Sequence, residues 1–401
     1  MRAPQRSPVA EAKARFPGPD GLTDRVRALT PLIAECAAQA EADRKPVDEV
    51  IEALERTGVF KSFVPRRFGG YEIDNASFID IGIAVGAACT STGWVTTFCM
   101  EHNWMLAQFP PETQEAVFAE LPYIIAPASI TPSGVAEKVD GGFVLNGRWG
   151  WATGVMHANW VLLNGMVAGD GPPDPRLFLA PIGDIRVEDT WFADGMEGTG
   201  SNDMVAEDLF VPEARSESLL RMMMGRGSGT ALNDSPRFRH PMLPLLCLAA
   251  ASPAIGAARA GLALFRERLR ERKLYATRTP QAERQSAQVL LGNATVRVQS
   301  AETLVRAVGD ALDGWGHGEE LCPPEERARL RLLVAHAVQT CRDVVQNLMQ
   351  ASGAGAHMRS HPMQRIVRDL NTLSCHTVFD LDVGGENYGR LLLGMDPASP
   401  V

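Results

Sequence analysis

The sequence predicts a mainly helical α+β chain: an N-terminal α-helical domain, a central β domain and a C-terminal four-helix bundle. Three observations carry this. Apolar residues recur at spacings of three and four as far as Pro122. From Tyr123 the texture changes to short runs rich in Val, Ile, Phe and Trp, broken by glycine. From Pro241 four long helical stretches stand between clusters of helix breakers. The boundaries read from these changes are 1–122, 123–215, a connection over 216–240, and 241–401.

In the first segment Val26, Leu29, Leu32, Ile33 and Cys36 form one helical stripe, and Val47 to Leu54 and Phe78 to Ala88 form two more. A further helix is predicted from about Thr92 to Phe109, interrupted by Pro110 and Pro111 before a short helix from Glu112 to Ala119. In the second segment Val135 to Val139 and Phe143 to Leu145 flank Asp140-Gly141-Gly142. This is a hairpin signal, because glycine takes positive φ without steric penalty. Strands are also predicted over Trp160 to Val167, Leu177 to Pro181, Ile185 to Phe192 and Met204 to Phe210, giving one compact sheet or small barrel. Glu213 to His240, with Met222-Met223-Met224, Gly225, Gly227, Gly229 and Pro236, reads as a mobile connection whose part from Met222 to Arg239 helps shape a pocket. Breakers at Arg278 to Gln281, Gly314 to Pro324 and Gly353 to Pro362 divide the bundle. Its inner helices, about Ala282 to Leu312 and Glu325 to Ala351, are amphipathic and long. Such helices pack against copies of themselves, so an oligomer is expected.

Hydrophobic residues make up 45% of the 401, enough to offset chain entropy in a large core, so the chain is globular beyond its first dozen or so residues. A formal net charge of −9 argues against a nucleic-acid partner, which needs a concentrated basic surface. Seven cysteines without a C-x-x-C pair read as free thiols in a reducing compartment rather than a disulfide or zinc framework, and no metal site is expected. Met1 to Phe16 lacks the apolar core of a secretory signal, so the protein is expected in the cytoplasm. Met242 to Ala258 is uncharged but short for a membrane span and carries Pro244 and Pro253. It reads as a buried bundle helix, and no membrane association is expected.

No G-x-G-x-x-G stands between a strand and a helix, and G-x-x-x-x-G-K-[ST] and G-x-S-x-G are absent, which removes the main support for Rossmann, P-loop and α/β-hydrolase readings. The nearest glycine motif is Gly198-Thr199-Gly200-Ser201-Asn202-Asp203. Its backbone and hydroxyl groups suit phosphates or a polar ring edge, and an ordinary turn fits it equally well.

The order of helices, sheet and bundle, together with local motifs, makes the chain resemble the acyl-CoA dehydrogenase superfamily over nearly its whole length. Within it, Ser91-Thr92-Gly93-Trp94-Val95, Gly147-Arg148-Trp149-Gly150-Trp151-Ala152-Thr153-Gly154 with His157-Ala158, and Gly198 to Ser201 are similar to the reduced-flavin-dependent hydroxylases. So is the end, from Arg368-Asp369 through His376 to Tyr388-Gly389-Arg390 and Leu393-Gly394. That group includes oxygenase components acting on p-hydroxyphenylacetate, steroid-derived phenols and aromatic polyketides.

The resemblance implies roles for particular residues. Dehydrogenases of the superfamily carry a catalytic glutamate shortly after the Arg-Asp pair of the last helix, though some place it on another helix. Here Leu373-Ser374-Cys375-His376-Thr377 has no carboxylate before Asp380. His376 suits a phenol, whose proton an imidazole can accept or share, with a structural histidine as the alternative. His102, in Met100-Glu101-His102-Asn103-Trp104, matches a histidine that reaches the substrate pocket in relatives, or is a helix-face histidine with a solvent partner. The cofactor set implied is Trp94, Ser129, Trp151, Thr153, Gly198, Thr199, Gly200, Ser201 and Arg278. Ser129 falls where relatives have a flavin- or substrate-facing hydroxyl, or is a turn serine. Trp151 lies beside the isoalloxazine ring, or is packed in a barrel core. Thr153 faces its N5, with threonine where many relatives have serine. Arg278 touches flavin phosphate from a neighbouring subunit, with Arg259, Arg266 and Arg284 as competitors.

The activity implied is that of the oxygenase component of a two-component monooxygenase. A separate NAD(P)H-flavin reductase supplies FADH2 or FMNH2, O2 is co-substrate, a C4a-hydroperoxyflavin forms, and a small aromatic substrate is hydroxylated by a homotetramer. Rival readings are an acyl-CoA dehydrogenase or oxidase, an N-oxygenase of an amine or amino sugar, and a flavin-binding subunit without turnover.

Overall fold

A computed structural model describes residues 16–169, 171–273, 278–318 and 320–401. Among the described residues six helices come first: α1 (Leu22–Arg27), α2 (Thr30–Ala42), α3 (Asp48–Thr57), α4 (Asn75–Ala88), α5 (Thr90–Leu106) and α6 (Pro111–Glu120). Their ends follow local chemistry. Gly58 closes α3 at φ 83°, and Asp74 caps α4 by accepting from Ser77 N at 2.7 Å. The fourth stripe starts earlier than the sequence suggests and stops at Leu106 rather than Phe109. Pro110 disfavours helix just before it, and Gln108 turns inward to bond the loops of residues 227–238.

Among the described residues seven strands form one sheet in the order β5-β6-β2-β1-β3-β4-β7, with β1 and β3 parallel and every other neighbouring pair antiparallel. They are β1 (Ala128–Val139), β2 (Gly142–Trp149), β3 (Trp160–Val167), β4 (Asp174–Pro181), β5 (Arg186–Glu188), β6 (Asp203–Pro212) and β7 (Ser216–Ser218). The hairpin at Asp140-Gly141 forms, with Val139 opposite Gly142 and Gly141 at φ 76°. The sequence expectation for 185–192 is corrected: only Arg186–Glu188 is strand, because Asn202 Oδ1 takes the N–H groups of Thr190 and Trp191 that a longer strand would offer its neighbour.

Strand alternation divides the sheet's burial. Val161, Leu163, Leu145, Trp149 and Phe178 build a core of their own on one face, while Trp160, Leu162, Leu177 and Leu179 join the helical core on the other. The connection expected to be mobile is packed instead. It supplies β7 and the short α7 (Leu219–Met223), and the buried Glu217 carboxylate accepts from Ser218 N, Ser228 N and Arg221.

The bundle comprises α8 (Met242–Glu271), α9 (Gln285–His317), α10 (Pro324–Ser352) and, in the fourth position, α11 (Pro362–Ser374) followed by α12 (Leu381–Leu392). The last stretch is two helices because His376 and Asp380 satisfy backbone donors locally. His376 Nδ1 accepts from Val378 N, and Asp380 Oδ1 accepts from Asp382 N and Val383 N. Long and apolar enough to cross a membrane, α8 is here the buried centre of the bundle. Glycines let α4 lie directly on it: a Cβ on Gly86 would stand 2.4 Å from Pro253 Cα. Thr97 Oγ1 donates to Ala249 O at 2.8 Å and fixes α5 to the same helix.

Candidate active site

All seventeen residues of α5 are buried, yet its sequence carries Thr96, Thr97, Glu101, His102 and Asn103. A polar helix at the centre of a protein is costly unless each group finds a partner, so the partners locate the site. Trp94, Phe98 and His102 stand four residues apart and form one stripe. The Trp94 and Phe98 rings lie 4.7 Å apart between centroids, and those of Phe98 and His102 5.6 Å. At one end of the stripe Trp94 Nε1 donates to Thr153 Oγ1 at 3.1 Å, and the His376 ring meets the Trp94 indole edge-on at 5.5 Å. Phe379 abuts His376 at 6.2 Å.

Thr153 opens onto a chain of hydroxyls. Its Oγ1 lies 3.2 Å from Ser201 Oγ, Ser201 lies 2.7 Å from Thr199 Oγ1, and Thr199 donates to Met196 O. The glycine motif is therefore the wall facing Thr153. It is held in an unusual shape: Met196 and Gly200 both have φ 58°, and a Cβ on Gly200 would meet Arg44 O at 2.8 Å. Asp369 supports the loop from α11, its Oδ1 accepting from Met196 N at 2.7 Å, and burial raises its pKa to about 6. Arg368 beside it donates to Asp194 O and pairs with Glu41.

Trp151 departs from one of its expected readings. It is not in a barrel core. Trp149 fills that place, donating to Asn164 O, whereas Trp151 is 71% exposed at φ 64°, edge-on to Trp191 at 5.1 Å. Phe192, equally exposed, lies under the guanidinium of Arg44, which Asp189 holds in a two-pronged ion pair. An exposed indole two residues from Thr153 and its hydroxyl chain, on a backbone held at positive φ at Trp151 and Met196, fits a flat heteroaromatic ring with a polar edge, as a flavin has.

The two histidines are neutral but not equivalent. His102 Nδ1 donates to Ala126 O at 2.5 Å, which leaves a lone pair on Nε2. His376 Nδ1 accepts from Val378 N at 3.3 Å, which places the ring proton on Nε2. Burial lowers both pKa values to about 4. His102 thus presents an acceptor and His376 a donor. The two carboxylates nearest His376 in sequence are engaged in the fold: Asp369 holds Met196 N and Asp380 caps α12.

The structure joins Trp94, Thr153, Ser201, Thr199, His376 and, through Phe98, His102 by direct side-chain contacts, and Trp151, Gly198 and Gly200 stand on the segments that carry Thr153, Thr199 and Ser201. Ser129, half-buried, sits on β1 opposite Leu163, three residues beyond the carbonyl that holds His102. Arg278 is exposed on the connection between α8 and α9 at φ 53°. Among the described residues no hydrogen bond or ion pair joins it to these site residues. Phe98, Glu101, Trp191 and Phe379 were not anticipated. The spacing of Phe98 midway between Trp94 and His102 was the available signal.

The family described as acyl-CoA dehydrogenase, C-terminal domain, matches residues 248–381. The pigment production hydroxylase of Rhodococcus sp. (strain ATCC 21145) is 34% identical over 381 residues, covering 95% of this chain and 98% of the relative. The p-hydroxyphenylacetate 3-hydroxylase, oxygenase component, of Acinetobacter baumannii is 29% identical over 388 residues, covering 96% and 92%. The crystal structure of the HsaA monooxygenase of Mycobacterium tuberculosis superposes with a TM-score of 0.89 at 30% identity, covering 96% of this chain and 99% of that one. XiaF from Streptomyces sp., in complex with FADH2 and glycerol, also superposes with a TM-score of 0.89 at 30% identity, covering 98% and 99%. With Trp94, Thr153 and the glycine loop assembled as they are, the chain belongs to the flavin-dependent monooxygenases of acyl-CoA dehydrogenase fold, as one of their oxygenase components.

Proposed function

We propose that this protein takes a reduced flavin, FADH2 or FMNH2, from a separate NAD(P)H-flavin reductase and uses O2 to hydroxylate a phenol-like aromatic molecule. The observation that carries the reading is the unbroken run of side-chain contacts from Thr153 through Trp94 and Phe98 to His102, with His376 on its flank. It joins a hydroxyl-rich segment suited to the flavin to a neutral aromatic cluster suited to a phenol. When bound, the reduced flavin would supply the two electrons that activate O2, and O2 the oxygen atom transferred.

The chain's own residues do the rest. Thr153 is assigned to the N5 edge of the ring, where its hydroxyl holds a proton; Ser201 and Thr199 orient that hydroxyl, and Trp94 donates to it. Trp151 offers its exposed indole to the ring, and the loop from Gly198 to Ser201 offers backbone groups beside it. His102 accepts the proton of the substrate hydroxyl, His376 donates a hydrogen bond, and the buried α5 excludes water. Ser129 is placed with the substrate- and flavin-facing hydroxyls, and Arg278 is assigned to the flavin phosphate of a neighbouring subunit in a homotetramer. Exposed Val289 and Val296, seven apart on α9, support packing of that helix against a copy of itself. The cytoplasm, where the reductase and its nicotinamide are found, is the compartment this reading requires.

Flavin affinity tests the proposal. Protein purified without a tightly held yellow flavin, binding reduced flavin more tightly than oxidised, is expected. A stoichiometric oxidised FAD that survives gel filtration and is reduced by an acyl-CoA would contradict it.

A further inference from the structure

Glu101 is a buried acid that the roles above leave unused. It is fully buried, neither carboxyl oxygen has a hydrogen-bond partner, and burial raises its pKa to about 8. No charge on the helices packed around α5 adds to that displacement. Among the described residues, the basic side chain within 4 Å of it is His102. Buried polar groups in native proteins are almost always paired, so this one points to a partner that arrives with the ligand.

Its position agrees. Glu101 stands seven residues after Trp94 and three after Phe98, so the helical period sets it on the face that carries those two rings. Glu101 Oε2 lies 3.6 Å from His102 Nε2. That is too long for a direct hydrogen bond, but an oxygen at ordinary hydrogen-bond length from each completes a triangle on this base. The two prongs differ in kind. The lone pair of His102 Nε2 accepts, because Nδ1 donates to Ala126 O, and a carboxylic acid at neutral pH donates.

We propose that Glu101 and His102 clamp the ring hydroxyl of the substrate between them, Glu101 donating to its oxygen and His102 taking its proton. This rests on the phenol reading given above. In the step, the substrate O–H bond breaks, its proton forms the N–H bond at His102 Nε2, and the bonding pair stays on the oxygen as phenolate. Glu101 keeps its own proton and hydrogen-bonds to that oxygen. A carboxylic acid held neutral by its surroundings so that it can donate to a developing oxyanion is an established catalytic device. The clamp selects a hydroxyl, which donates and accepts, over a methyl ether, which has no proton to give.

The test compares wild type, Glu101→Gln and Glu101→Leu in single-turnover hydroxylation of a panel of mono- and polycyclic phenols, from neutral to alkaline pH. The wild-type rate is expected to fall as pH rises through about 8, where Glu101 loses its proton. The glutamine variant keeps a donor that does not ionise, so it should hydroxylate and lack that fall. The leucine variant should be roughly 10²- to 10³-fold slower, as when one oxyanion donor is removed, with reduced-flavin affinity unchanged. A second readout needs no turnover. In anaerobic protein loaded with reduced flavin, bound 4-fluorophenol followed by fluorine NMR should ionise at lower pH in Glu101→Gln, whose donor persists at alkaline pH, than in Glu101→Leu, by up to about ten-fold in its ionisation constant. A leucine variant hydroxylating at the wild-type rate, or a glutamine variant that keeps the alkaline fall, overturns the clamp. Wild type that consumes flavin and O2 yet hydroxylates no phenol overturns the phenol reading and the clamp together.

Discussion

Trp94 Nε1 donates to Thr153 Oγ1 at 3.1 Å, and this one bond joins the buried helix α5 to the hydroxyl chain of the glycine loop. A change at Thr153 therefore reaches both sides of the site. Thr153→Ala should divert oxygen to H2O2 at a rate roughly two- to twelve-fold above wild type, the value of one net hydrogen bond of about 0.5–1.5 kcal/mol. Thr153→Ser should be mild. Peroxide release in the absence of substrate isolates the effect, and an unchanged rate in the alanine variant with flavin bound would leave Thr153 a purely structural residue.

His102 and His376 should separate in mutagenesis, because one presents an acceptor and the other a donor. His102→Ala should lower hydroxylation by about 10²- to 10⁴-fold, the usual contribution of a general base. His376→Ala removes one donated hydrogen bond, worth about two- to twelve-fold. Reduced-flavin binding should survive in both. With pKa values near 4, both rings stay neutral at pH 6, so the acid limb of the hydroxylation rate should lie near pH 4 rather than near the 6.5 of a free imidazole.

Burial of Glu101 should also be visible in stability. Its folded pKa, about 8, lies above the ordinary 4.5, so between those values the folded state holds a proton that the unfolded state has lost. Stability from this group is complete below about pH 4.5 and is lost as pH rises through about 8. Glu101→Gln should therefore match wild type near the lower value and exceed it increasingly toward the upper one in urea denaturation. Parallel curves for the two proteins would mean that Glu101 is not held protonated.

Asp369 should act on flavin affinity from a distance. Asp369→Ala leaves Met196 N buried without its acceptor, which costs about 1–3 kcal/mol of stability and loosens the loop from Met196 to Ser201. Reduced flavin should bind more weakly to this variant, and Asp369→Asn, which keeps an acceptor, should restore most of the affinity. Equal affinities in all three proteins would remove Asp369 from the support of the loop.

The elements most legible in the sequence were those with an uninterrupted period. The strand from Trp160 to Val167 and the long helices around 285–317 and 324–352 carry their pattern in every turn. Where side chains compete with backbone pairing, the pattern misled. Asn202 ends a strand after Glu188, Gln108 pins a connection that its glycines and methionines made look loose, and His376 with Asp380 splits one helix into two. The site divided along the same line. His102 and His376 were found by their resemblance to residues of known hydroxylases, but that one offers a lone pair and the other a proton depends on Ala126 O and Val378 N, which no local spacing encodes. Glu101 was passed over because a glutamate in a helix is ordinarily solvated, and only the burial of every neighbour on α5 reveals it.

The most direct test of the proposed chemistry is a single turnover of the reduced-flavin-loaded protein with a phenol under isotopically labelled O2. The product should carry one labelled oxygen on its ring, and none should appear without reduced flavin. A newly introduced hydroxyl without the label, or reduction of the bound flavin by an acyl-CoA with no oxygen transferred, would contradict the assignment.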